Sequence, residues 1–180
     1  MECAHVGWVN PPRMAVLDVA HNEAAIAQLL ETMSMAHGAI DVIFNCIQSK
    51  NATNIIKQLL PIAASIYFPK LKDPRTHDPQ TLLKIAQTEA QKGIQNAPHM
   101  HRVRTASSLL DAIDRVILGH PPEGDFDPYS YKPPAATDNM MNLILIVGSF
   151  SIVSEARELF YEIKSDDLRD PSIANPRQSY

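Results

Sequence analysis

The sequence predicts an α/β domain, a three-layer, Rossmann-like and mostly parallel sheet with helices on both faces. Two observations predict it. Short apolar runs of buried-strand length recur at Met14–Leu17, Ile40–Phe44, Ser65–Phe68 and Leu143–Val147. Each run leads into a stretch with apolar residues at helical spacing, and strands alternating with such helices pair in parallel with the helices on both faces.

Composition bounds the answer without deciding it. At 180 residues the chain is one domain of ordinary size, long enough to bury about 70% of its unfolded surface without disulfide or structural metal. A net charge of −4 argues against a nucleic-acid partner. Cys3 and Cys46 stand without CxxC spacing, which points to a reducing compartment and no zinc site. No apolar run reaches membrane-span length, and Met1–His5 carries no secretory signal, so the expected location is cytoplasmic, with a mitochondrial one left open.

The elements follow in order. Met1–Pro12 reads as an irregular or edge segment, with Trp8 packed at the sheet margin and Pro11-Pro12 stopping regular structure. After Met14–Leu17 come Asp18, His21 and Asn22, then a helix with Ile26, Leu29, Leu30 and Met33 on one face. Asn22 suits its N-cap, Glu23 its positive end, and Gly38 its stop. Ile40–Phe44 ends in Gln48-Ser49-Lys50-Asn51 before a helix carrying Ile55, Ile56, Leu59 and Leu60, closed at Pro61. Ser65–Phe68 opens onto the basic loop Pro69–His77, followed by a helix with Asp78 as cap, Pro79 at the first position and Gly93 at the far end. A short strand is expected near His101–Val103 and a helix over Ala106–Leu118. Gly119–Asp138, with prolines at 121, 122, 128, 133 and 134, reads as a surface insertion. Leu143–Val147 turns through Gly148-Ser149 into a last helix. Residues 1–164 thus form the domain and 165–180 a loose, flexible tail.

Several chemistries are excluded by spacing. Gly119 and Gly124 have the G-x4-G interval but lead into Asp125-Phe126, so no Walker A loop is present. No GxGxxG follows the first strand, and GxSxG is absent. His99 and His101 lack further ligand spacing and read as loop histidines, so no metal site is assigned. Cys46, at a buried strand end, reads as a small hydrophobe. Gly148-Ser149 is either an N-cap or an anion site made by free backbone N–H groups. Arg75 is either solvated or the partner of a phosphate or carboxylate. What unites Asp18, His21, Lys50, Arg75 and Ser149 is position: all follow the carboxyl ends of expected parallel strands, where open α/β sheets bind ligands.

The same residues carry a resemblance. Asp18-Val19-Ala20-His21-Asn22, Lys50 in the turn after the second strand, Pro74-Arg75 before the third helix, and Leu145-Ile146-Val147-Gly148-Ser149-Phe150 resemble, in order, four motifs of one domain. It is the C-terminal domain of the folylpolyglutamate synthase/dihydrofolate synthase family, folate members of the Mur-type ligases. The resemblance implies a glutamate-binding domain that closes over a P-loop ATPase domain holding ATP and Mg2+. ATP phosphorylates a carboxylate of folate or dihydropteroate, and the amine of L-glutamate attacks the acyl phosphate. It further implies that Asp18, with Asn22, Lys50 and Arg75, faces the nucleotide, and that His21 and Ser149 position the glutamate.

Two departures from the family pattern stand out. Its Gly-Arg pair ahead of the first strand aligns with Ala4-His5, and an imidazole does not replace a guanidinium fork. No P-loop occurs in the chain. The expectation is therefore one half of an ATP-dependent ligase, inactive alone. The alternatives are a degenerate, non-catalytic interaction module derived from that domain, and an unrelated Rossmann-like small-molecule enzyme.

Overall fold

The computed structural model describes residues 2–6, 13–33, 40–93, 103–118 and 143–167. Six strands, β1 (Glu2–Val6), β2 (Arg13–Asp18), β3 (Ile40–Phe44), β4 (Ala63–Pro69), β5 (Val103–Ala106) and β6 (Leu143–Val147), form one sheet in the order β1-β2-β6-β3-β4-β5. Strands β2 to β6 are parallel, and β1 alone runs antiparallel, at the β2 edge. The helices are α1 (Glu23–Met33), α2 (Ala52–Leu59), α3 (Pro79–Gly93), α4 (Leu109–Leu118) and α5 (Phe150–Asp167).

Strand alternation sorts the buried side chains into two cores. Val16, Val42, Phe44, Leu145 and Val147 face one layer, with Ile26 of α1, Ile56 of α2 and Leu82 of α3. Leu17, Ile43, Ile144 and Ile146 face the other, with Ile113 of α4 and Ile152 of α5. A strand buried on both faces needs apolar residues at every position, which is why LILIV reads as a continuous run and is buried throughout. The three-layer α/β expectation holds.

Strands β3 and β6 and helix α3 have the expected bounds. The opening segment contains a regular edge strand where an irregular or edge segment was expected, because β2 supplies its hydrogen-bonding partner. β5 begins at Val103, at the end of the expected His101–Val103, and runs on to Ala106. α4 starts three residues later than Ala106. Ser108 Oγ accepts from the Asp111 backbone N–H while Asp111 Oδ2 accepts from the Ser107 N–H, and this reciprocal cap sets the first turn. α5 extends to Asp167, past the expected end of the domain at 164. Trp8, Gly38, His99, His101, the 119–138 insertion and 168–180 lie outside the described residues.

Candidate functional site

The parallel register aligns the strand ends. Asp18 of β2 is the Cα partner of Val147 of β6, and Val147 in turn is the partner of Phe44 of β3. Asp18, Ser149 and the turn after Phe44 therefore share one rim, as their positions after strand ends required.

After β2, Asp18 Oδ1 accepts from the Ala20 N–H at 2.8 Å, closing an Asx turn. His21 Nδ1 lies 2.8 Å from the Val19 carbonyl oxygen. A carbonyl only accepts, so Nδ1 carries a proton, and in the neutral form of the ring Nε2 is the acceptor. Asn22 is the cap that was expected: its Oδ1 accepts from the Ala25 N–H at 2.9 Å. Asp18 also stands between two open depressions. One, of ≈ 590 Å³, is lined by Val19, Phe150, Val153 and Arg157; the other, of ≈ 550 Å³, by Gln28 and Thr32.

After β3, Asn45 and Cys46 are fully buried. Asn45 Nδ2 donates to the carbonyl oxygens of Pro69 at 2.8 Å and His77 at 3.0 Å, joining the β3 and β4 ends. Two acceptors fix the amide orientation, leaving Oδ1 as a buried acceptor with no partner. Cys46 matches its expected hydrophobe role: burial pushes its thiol up to about 12, outweighing the opposing pull of Lys50. The loops after β3 and β4 are tied again by Gln48 N–H to Arg75 O at 2.9 Å, and by a bridge between Ile47 and Thr76. This brings Lys50 and Arg75 onto adjoining loops.

After β4, Arg75 is not a lone solvated cation. Its Nε and Nη2 donate to the two oxygens of Asp73 at 3.0 and 2.8 Å. Asp73 Oδ2 also accepts from Ser151 Oγ at 2.6 Å, on the first turn of α5. The Arg75 bonds, then the Ser151 bond, hold the Asp73 carboxyl far below the usual carboxylate range. Glu155 of α5 accepts from the Lys72 backbone N–H at 3.1 Å, a second tie between this loop and α5.

After β6, Gly148 has φ +137, and its neighbour Ser149 is 5% exposed. The capping alternative for Ser149 does not hold, because its buried Oγ has no hydrogen-bond partner. The first intrahelical bond of α5 runs from the Val153 N–H to the Ser149 carbonyl, so the N–H groups of 150–152 have no acceptor within the helix.

The position aligned with the family arginine lies elsewhere. His5 pairs with Met14, about 13 Å along β2 from Asp18, and Glu2 pairs with Leu17 beside the rim. Asn45, Asp73 and Ser151 were missed from sequence. Only Asn45 left a signal there, an amide standing between the apolar run of β3 and Cys46-Ile47.

Comparison with known proteins gives the family and supports the fold. The family described as "Mur ligase, glutamate ligase domain" matches residues 3–126. Dihydrofolate synthase/folylpolyglutamate synthase of Bacillus subtilis (strain 168) is 40% identical over 68 residues, 37% of this chain and 15% of that protein. Folylpolyglutamate synthase of Mycobacterium tuberculosis, solved with ADP and AMPPCP, superposes with a TM-score of 0.62 at 26% identity, covering 82% of this chain and 29% of that one. E. coli FolC, solved with DHPP and ADP, shares the fold, with a TM-score of 0.59 at 18% identity over 84% of this chain and 29% of its own. The chain thus spans less than a third of the length of these relatives. With its sheet order, its strand-end rim and the match over most of its length, the chain belongs to the Mur ligase glutamate ligase domain family.

Proposed function

We propose that this chain is the glutamate-binding part of an ATP-dependent folate amide ligase, working with a P-loop ATPase domain in cis or in trans. One observation carries the reading: Asp18 and Ser149 stand at the ends of adjacent, in-register strands, on the rim where the fold receives ligands. On this reading the α5 N-terminus, with the buried Ser149 hydroxyl, receives a carboxylate of L-glutamate. His21 Nε2, the acceptor when the ring is neutral, takes a hydrogen bond from the glutamate amine as that amine attacks the acyl-phosphate carbon of the activated folate or dihydropteroate. The C–N bond forms as the C–O bond to phosphate breaks and inorganic phosphate leaves. Asp18 faces the nucleotide, with Asn22, Lys50 and Arg75 behind it.

ATP supplies the phosphoryl group that activates the carboxylate. On this reading Mg2+, with the triphosphate, is held mainly by the ATPase domain; among the described residues no group of three His, Cys, Asp or Glu is placed to hold a metal ion. Among them, too, no helix is long and apolar enough to cross a membrane.

A second reading, a non-catalytic interaction module, draws on Asn51. Its side chain is used as the α2 cap, accepting from the Asn54 N–H at 3.3 Å, and so serves the fold. One experiment separates the two: combine the chain with a family P-loop domain and measure folate- and glutamate-dependent ADP release. Activity that Asp18→Ala or His21→Ala lowers at least about 100-fold supports the ligase. No activity with any P-loop partner overturns it in favour of the module.

A further inference from the structure

The loop after β4 is pinned at three places. At its base, Asn45 Nδ2 holds the carbonyls of Pro69 and His77, the two ends of the loop. Along its returning side, the Gln48 N–H donates to the Arg75 carbonyl at 2.9 Å and Gln48 Nε2 to the Thr76 carbonyl at 3.0 Å. At its tip, Asp73 accepts from Ser151 Oγ on the first turn of α5, and Glu155 of α5 accepts from the Lys72 N–H. The backbone of Arg75 is thereby fixed, and Asp73 fixes the side chain as well. Its carboxylate accepts from Nε and Nη2, and its Oδ1 accepts from the Arg75 backbone N–H at 3.0 Å. Yet the Arg75 side chain is 79% exposed. Holding a long exposed cation in one rotamer costs side-chain entropy, and here a carboxylate only 17% exposed is devoted to it. Two of the five guanidinium N–H groups go to Asp73, which leaves the Nη1 edge for an anion.

We propose that Asp73 is a positioning residue of the ligase reaction: it holds the Arg75 guanidinium in one orientation toward a phosphate oxygen and, through Ser151, keeps that cation in register with the start of α5. A carboxylate beside an arginine lowers the local positive charge, so Asp73 supplies orientation and not attraction. Orientation counts most where charge moves, in the transfer step, and least in ground-state binding of the nucleotide. The inference rests on the proposed function for the phosphate; the tie from Arg75 through Asp73 to α5 does not.

Two measurements test it. In the full chain combined with a family P-loop domain, Asp73→Ala is expected to lower kcat at least about 30-fold while the KM for ATP stays within about threefold. Because Asp73 acts through Arg75, the pair Asp73→Ala with Arg75→Ala should be no slower than Arg75→Ala alone. Effects that multiply, or a loss confined to KM, overturn the proposal. In the full chain by itself, the NMR signal of the Arg75 Nε–H is expected to exchange with water at least about tenfold more slowly than in free arginine. Ser151→Ala, which leaves the fork in place and removes only the tie to α5, should shift that signal and speed its exchange. It also carries the kinetic test, with the same split between kcat and KM, if Asp73→Ala does not fold. An Nε–H that exchanges as in free arginine, or that ignores Ser151→Ala, overturns the proposal. If no P-loop partner gives turnover, the ligase reading falls and the phosphate role with it, while the Arg75 signal still decides the tie to α5. Turnover with multiplying effects leaves the ligase standing and removes Asp73 from it.

Discussion

A Cβ placed on Gly148 would overlap the carbonyl oxygen of Asn45 and lie 2.9 Å from its carbonyl carbon. The turn into α5 thus packs directly on the backbone leaving β3, at a φ of +137 that L side chains rarely adopt. Gly148→Ala is expected to cost about 2–4 kcal/mol in urea unfolding, from strain and overlap together. The obstacle is backbone, so Asn45→Gly in the same chain should not restore stability.

The Asn45 side chain makes a separate prediction. Its amide supplies hydrogen bonds to two carbonyls, those of Pro69 and His77. Asn45→Leu removes both donors and is expected to destabilise the chain by about 2–4 kcal/mol, read as a fall in the urea midpoint. Asn45→Asp should be worse, because it turns a carboxylate toward those same carbonyl oxygens.

The depressed acidity of Asp73 predicts the acid limb of stability. A carboxyl held below its unfolded value of about 3.9 stabilises the fold above that pH, and the contribution fades as pH falls toward the lower, folded value. Unfolding free energy measured from pH 6 to pH 2 should therefore drop below about pH 4. The slope of that drop should be shallower in Asp73→Asn. An unchanged slope would show that the ion pair with Arg75 adds nothing to the fold.

Cys46 should be inert to thiol reagents. With its thiol raised to about 12 by burial, the thiolate is scarce at neutral pH. In a Cys3→Ser background, modification of Cys46 is expected to be at least about a thousandfold slower in the native chain than in urea.

Much of the fold was legible because its signals are local. Buried parallel strands such as Ile40–Phe44 and Leu143–Val147 announce themselves as unbroken apolar runs, and Asp78-Pro79 with Gly93 brackets α3 to the residue. β1 was not legible as a strand, since ECAHV has no such run and its regularity comes from pairing with β2. The rim positions of Asp18 and Ser149 followed from strand ends alone. The Asp73–Ser151 bond spans 78 residues of sequence and the Asn45–His77 bond 32, and no periodicity or spacing encodes such a contact. A serine following a strand looks the same in sequence whether its hydroxyl caps the helix or stays unpartnered.

The position of β6 has a consequence for how the molecule is assembled. It is the last of the described strands in sequence, yet it lies between β2 and β3, hydrogen-bonded to both. Until Leu143–Val147 has been synthesised, the growing polypeptide can hold only a β1–β2 ribbon and a separate β3–β4–β5 ribbon, each with a raw apolar margin. Truncation anywhere before that strand should leave two sticky half-sheets instead of a smaller domain, so the C-terminal fifth of the chain is the keystone of its architecture.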